Sequence, residues 1–154
     1  MQKTILNGQP KKKSSNGLGK QGRQIRDLFK MYIFDTDILI WILRKNQEII
    51  KKISKLDKKS VFCISVMSIA EIYQNVFPSE LADTQDLINQ YTVFIIDEKI
   101  AKLGGLYWQQ YSKKLKNLTL TDCLIAATAN INNATLVSLN KKHFPMPDIE
   151  VLSP

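Results

Sequence analysis

An α/β fold, with a central parallel sheet of about five strands and helices on both faces, is predicted from three features of the 154-residue chain. Short apolar runs alternate with longer amphipathic ones, and the two periodicities read as strands and helices in turn. The spacing leaves room for a helix between successive strands, as parallel pairing requires. Acidic and amide side chains fall just where strand candidates end, which is where ligands sit in sheets of this kind.

The elements follow in order. "MYIFD" (31–35) is an apolar strand that runs straight into an acid, and a helix follows near 37–44 with Asp37 as its expected cap. "QEIIKKISKL" (47–56) places Ile49, Ile50, Ile53 and Leu56 on one helical face. "VFCI" (61–64) is a second strand, and Ser65 caps the helix "VMSIAEIYQNV". Pro78 ends that segment, and Glu80 to Tyr91 forms another amphipathic helix. "TVFII" (92–96) is the third strand, and a long helix runs from about Glu98 to Leu115. The alanine-rich "LTDCLIAATANIN" (120–132) reads as a buried helix. "TLVSL" (135–139) and "IEVL" (149–152) supply the last two strands.

The formal charge of +8 belongs to one end of the chain. Residues 1–30 carry +7 and residues 31–154 only +1, so the basicity marks a segment and not the domain. Residues 1–24 are rich in Gly, Ser, Asn, Gln and Lys without a sustained period, a composition too polar to order itself. Residues 1–30 are therefore expected to be a basic tail: a non-native extension, a native disordered arm or a nucleic-acid-binding arm. Met31 opens the domain, 31–154, as a start codon would. No apolar run reaches the ~20 residues of a membrane span, and no secretory segment precedes the domain. Cys63 and Cys123 lie in apolar contexts without metal-type spacing, as reduced core residues of a cytoplasmic protein do.

Several chemistries are disfavoured by what the chain lacks. One histidine, His143, makes no multi-histidine zinc site, and neither a GxSxG elbow nor a phosphate-binding glycine loop is present. Carboxylates remain, and with them hard cations. Asp35 ends the first strand, and Glu71 interrupts a helix that is apolar on most sides. Asp122 opens the alanine-rich helix, where an acid taken alone reads first as a cap or first-turn partner of the macrodipole and then as a ligand. Three acids at element ends beside apolar sequence suggest one shared site, since crowded carboxylates need a cation to offset their repulsion. Their separations in sequence are 36 and 51 residues.

"YIFDTDIL", "ISVMSIAEIY", "LTDCLIAATA" and "TLVSLNKKHF", in that order, resemble the PIN-domain family, and within it the VapC-type toxins of bacterial toxin–antitoxin pairs. The resemblance covers Met31 to about Pro154 and implies a PIN-like three-layer fold. It implies that Asp35, Glu71 and Asp122 bind the metal, Mg²⁺ with Mn²⁺ as a substitute, and that Asn140 completes the catalytic set. Ser138 and Thr36 match the hydroxyl positions of the pattern. Asn140 stands where relatives have Asp or Asn, so a second metal is not implied. The expected activity is that of an endoribonuclease toxin hydrolysing RNA phosphodiesters, with a cognate antitoxin as partner and a homodimeric state. Lys141, Lys142 or Arg44 are candidates for contact with RNA phosphates, or simply solvated charges. The alternatives are a degenerate PIN scaffold that binds RNA or protein without cutting, and a phosphatase. "FDTD" also resembles the DxD of haloacid-dehalogenase-type phosphatases, but position 39 is Leu and the downstream acid pair is missing.

Overall fold

A computed structural model of the chain describes residues 29–154, so the expectations for the basic tail lie outside the described residues except at Phe29 and Lys30. The strands are β1 (Met31–Phe34), β2 (Val61–Ser65), β3 (Thr92–Phe94), β4 (Thr135–Val137) and β5 (Val151–Leu152). The helices are α1 (Thr36–Leu43), α2 (Gln47–Ile53), α3 (Val66–Tyr73), α4 (Leu81–Ile88), α5 (Glu98–Tyr111) and α6 (Leu120–Ile131). Short 3₁₀ turns span Pro78–Glu80 and Lys141–His143.

All four strand pairings are parallel, in the order β3-β2-β1-β4-β5. This is the predicted sheet of five strands. The chain winds outward from β1 in one direction and then, with β4, in the other. The crevice between β1 and β4 is therefore the topological switch point, where open α/β sheets bind ligands.

The period of two along β1 explains the layers. Met31 and Ile33 point into one core, with Cys63, Leu136, Ile100 and Tyr107 of α5, and the buried face of α6. Tyr32 and Phe34 point into the other, with Ile64, Val137, Ile38 and Leu39 of α1, and Ile72 and Ile88. All four β1 residues are buried, so the strand reads as an unbroken apolar run. Each large side chain fully enclosed this way contributes about 1.5–3 kcal/mol. Cys63 and Cys123 are buried free thiols of the first core, and burial pushes both up to about 11. Among the described residues no helix is long and apolar enough to cross a membrane.

Elements end earlier than periodicity alone suggests, for local reasons. β1 stops at Phe34 because Asp35, at φ −68° and ψ 157°, is the N-cap of α1 and accepts from Thr36 N–H. The cap role expected of Asp37 thus falls to Asp35, and Asp37 lies in the first turn. Ser65 caps α3 as predicted, accepting from Met67 N–H, but α3 ends at Tyr73 and not near Val76. Of the predicted helix 80–91, Glu80 closes a 3₁₀ turn begun at Pro78, and α4 itself ends at Ile88 and not at Tyr91. α5 closes at Tyr111, four residues short of the expected Leu115. β4 ends at Val137 because the N–H groups of Leu139 and Asn140 turn to side chains instead of a neighbouring strand.

Candidate active site

Three elements deliver the acids to the carboxyl end of the sheet. β1 ends on Asp35 beside β4, with Asp35 N–H still donating to the Val137 carbonyl at 3.0 Å. α3 begins directly after β2, so its second turn carries Glu71 past the same edge. α6 brings Asp122 in its first turn.

Asp35 is buried and tied on both oxygens. Oδ1 accepts from Thr36 N–H at 2.8 Å and Oδ2 accepts from the fully buried Ser138 hydroxyl at 2.7 Å. Burial, then the charge of Asp37, push its carboxyl up to about 7 against these two bonds, and the charge of Asp122 adds to the rise. Glu71 is half-buried; burial raises it, the Thr36 hydroxyl donating to Oε2 opposes this, and the charge of Asp122 raises it further. Thr36 therefore joins Asp35, through its backbone, to Glu71, through its side chain.

Asp122 has the structural duty that an acid at this position suggests. Thr119 caps α6 by accepting from Asp122 N–H at 3.0 Å, and Asp122 Oδ2 accepts in return from Thr119 N–H at 2.8 Å. This reciprocal pair is a capping box. Its charge nonetheless bears on Asp35 and on Glu71. The three acids, far apart in sequence, thus sense one another at one end of the sheet. Each is held by its own hydroxyl partner, and among the described residues no three His, Cys, Asp or Glu side chains close into a ready ligand set.

Asp37 is the residue that sequence reasoning underrated. Its Oδ2 accepts from Leu139 N–H at 3.1 Å, and Oδ1 is buried without a hydrogen-bond partner. Burial raises its carboxyl, while bonds from Ile38 and Leu139 N–H, then Ser138 and the charge of His143, oppose the rise. The available signal was the D-x-D spacing, which turns a first-turn acid back toward the strand end. Asn140 is exposed beyond β4; its N–H donates to Ser138 Oγ at 3.0 Å and its amide nitrogen lies 3.2 Å from His143 Nε2. Lys141, Lys142 and Arg44 are exposed.

This donor set suits a hard divalent cation. It offers carboxylates, hydroxyls and one amide, an orphaned buried carboxylate oxygen at Asp37, and like charges crowded around Asp35. A soft ion finds no such set here, because both thiols are held protonated inside the core.

Fold and site together define a three-layer α/β domain with acids gathered at the switch point of its sheet. The family model described as the PIN domain matches residues 32–148, and the chain belongs to that family. Ribonuclease VapC10 of Mycobacterium tuberculosis (strain ATCC 25618 / H37Rv) is 32% identical over 116 residues, which cover 75% of this chain and 87% of the relative. Ribonuclease VapC2 of Haemophilus influenzae is 29% identical over 119 residues, 73% of this chain and 89% of the relative. The VapC-type likeness predicted from the four motifs is thus present over most of the domain. Among solved structures, DNA-bound VapBC from Salmonella typhimurium superposes with a TM-score of 0.68 at 23% identity, covering 80% of this chain and 98% of the other. VapBC-1 from nontypeable Haemophilus influenzae gives 0.67 at 22% identity, covering 80% and 97%. These structures share the fold.

Proposed function

We propose that the protein is a metal-dependent endoribonuclease, the toxin of a toxin–antitoxin pair, acting on RNA phosphodiesters in the cytoplasm. The observation that supports this reading is Thr36 joining Asp35 to Glu71 at the switch point, with the charge of Asp122 acting on both, in a chain 32% identical to a ribonuclease VapC. Asp35, Glu71 and Asp122 would hold Mg²⁺, with Mn²⁺ as a substitute. Such a cation supplies the positive charge that offsets the crowded acids and stabilises charge developing on a phosphoryl oxygen.

The chain's own residues do the rest. Ser138 and Thr36 N–H fix the Asp35 carboxylate, the Thr36 hydroxyl fixes Glu71, and Thr119 fixes Asp122. These partners hold the acids in place before substrate arrives. The Asn140 amide orients the attacking water, contributing a hydrogen bond without charge. Exposed Lys141, Lys142 and Arg44 meet RNA phosphates as sequence-independent contacts. A cognate antitoxin is the partner, as the VapBC assemblies among the structural neighbours suggest, and the toxin is a homodimer.

The test is cleavage of bulk RNA by purified protein. Cleavage is expected with Mg²⁺ or Mn²⁺, none with chelator, and none with Asp35→Asn. RNA bound but uncut in both ions would favour the non-cutting scaffold, the reading that the neutral Asn140 supports.

A further inference from the structure

Asp37 is not among the three acids assigned to the cation in the reading above, yet it is built into the site. It stands in the first turn of α1 and reaches the segment that leaves β4, where Oδ2 accepts from Leu139 N–H at 3.1 Å and lies 3.4 Å from Ser138 Oγ. The one Ser138 hydroxyl proton goes to Asp35 Oδ2 at the shorter distance of 2.7 Å. Ser138 Oγ in turn accepts from Asn140 N–H at 3.0 Å.

The β1–β4 register ends at Phe34 and Val137. The N–H groups at 139 and 140 therefore have side-chain acceptors, one on Asp37 and one on Ser138. Asn140 follows at φ −113° and ψ 54°, a conformation that neither strand nor helix imposes. On its far side the Asn140 carbonyl accepts from His143 N–H at 2.8 Å; on the β4 side those two bonds are what hold it.

The arrangement is an expensive one for a mere helix acid. A first-turn Asp serves the macrodipole while exposed to water, but Asp37 is largely withdrawn from solvent beside Asp35, with Oδ1 buried and unpaired. Burying an underpaired carboxylate opposes folding.

We propose that Asp37 is a positioning residue for the nuclease reaction: its carboxylate anchors Leu139 N–H and thereby holds Asn140 at the end of the Asp35–Ser138 chain. This rests on the nuclease reading above. Asp37→Asn keeps an acceptor for Leu139 and removes the charge. Asp37→Ala removes both, and Asp37→Ser is too short to reach Leu139, so it replaces Ala should that variant not fold.

Two measurements test it. In RNA cleavage at saturating Mn²⁺, Asp37→Ala is expected to lower kcat by about 10- to 100-fold with KM for RNA unchanged, and Mn²⁺ affinity falls no further in Ala than in Asn, since both remove the same nearby charge. Asp37→Asn retains most of the rate. In an Asn140→Ala background, Asp37→Ala adds little further loss, because the two residues act in series. In amide hydrogen exchange on the metal-free protein, Leu139 exchanges faster in Asp37→Ala and at the native rate in Asp37→Asn. Losses that multiply in the double variant overturn the proposal. So does Asn as damaging as Ala with Mn²⁺ affinity lost, since Asp37 is then itself a ligand. Should the unaltered protein cut no RNA, the nuclease reading fails by itself and Leu139 exchange decides the anchor: release in Asp37→Ala upholds it, and no change overturns it.

Discussion

Asp122 performs two tasks with one carboxylate, closing the capping box of α6 and adding its charge to the space shared by Asp35 and Glu71. Substitution separates them. Asp122→Asn retains an acceptor for Thr119 N–H, so stability should move by no more than about 1 kcal/mol. If its charge helps to hold the cation, Mn²⁺ binding measured by calorimetry should weaken about tenfold or more, with cleavage lost at ordinary Mg²⁺ concentrations. Asn140→Asp adds an anionic oxygen nearby and should keep or tighten binding. Unchanged affinity in Asp122→Asn would leave the residue with its capping role alone. Asp35 carries a pH expectation. Its carboxyl, about 7 in the folded protein, lies above its ordinary 3.8, so the folded state keeps a proton that the unfolded state releases. Metal-free protein should lose stability, by a few kcal/mol, as pH rises from about 4 to about 7, and change little from this source outside that window. Urea unfolding at pH 4.5, 5.5 and 7 measures the slope, and Asp35→Asn should flatten it. That Asp35 is special was legible in the sequence, because an acid directly ending an apolar strand has few other uses. That Asp37 faces it was not, since the bond to Leu139 spans 102 residues.

α5 and α6 show the same division at the scale of elements. "LGG" at 103–105 sets two glycines side by side in a helical pattern, and α5 is helical through both. Packing distinguishes them. A Cβ on Gly104 would lie 2.7 Å from Leu124 Cδ2 and 3.2 Å from Leu124 Cα, whereas Gly105 faces open space within 4 Å. Gly104 is what lets α5 approach α6 closely. Gly105→Ala should therefore stabilise the fold by about 0.5–1 kcal/mol through helix propensity. Gly104→Ala should destabilise it, by about 1–3 kcal/mol, as the helices are forced apart. Thermal unfolding of the two variants side by side checks both signs. Element ends follow a similar logic: the existence of each helix was readable from its period, but its last turn depended on which hydrogen bonds the fold left over. Beyond Ser138, whose N–H still donates to the Leu152 carbonyl, β4 cannot continue because Asp37 and Ser138 accept the N–H groups of Leu139 and Asn140.

For the whole molecule, the two cores on either face of the sheet are built from residues 31–152. The charge, by contrast, is concentrated in residues 1–30. A chain starting at Phe29 should consequently unfold cooperatively and cleave RNA with the same metal dependence. Lys30 is worth keeping, because its carbonyl accepts from Val61 N–H at 2.9 Å at the start of the sheet. RNA affinity measured against salt concentration then reports whether the removed lysines and arginines touch phosphates, each contact steepening the slope by about 0.7 on single strands. Loss of cooperative unfolding would instead assign the removed residues to the fold.

By itself the sequence determined the α/β class, the strand and helix inventory and the restriction to carboxylate chemistry. These follow from periodicity and composition, which act over a few residues and survive any arrangement of the elements. The tertiary structure decided the strand order, and with it the switch point between β1 and β4 where Asp35 meets Ser138 across 103 positions. It also moved the α1 cap from Asp37 to Asp35 and turned Asp37 toward Leu139. Such pairings depend on which side chains two cores bring to one edge, a consequence of packing that no local window of sequence contains.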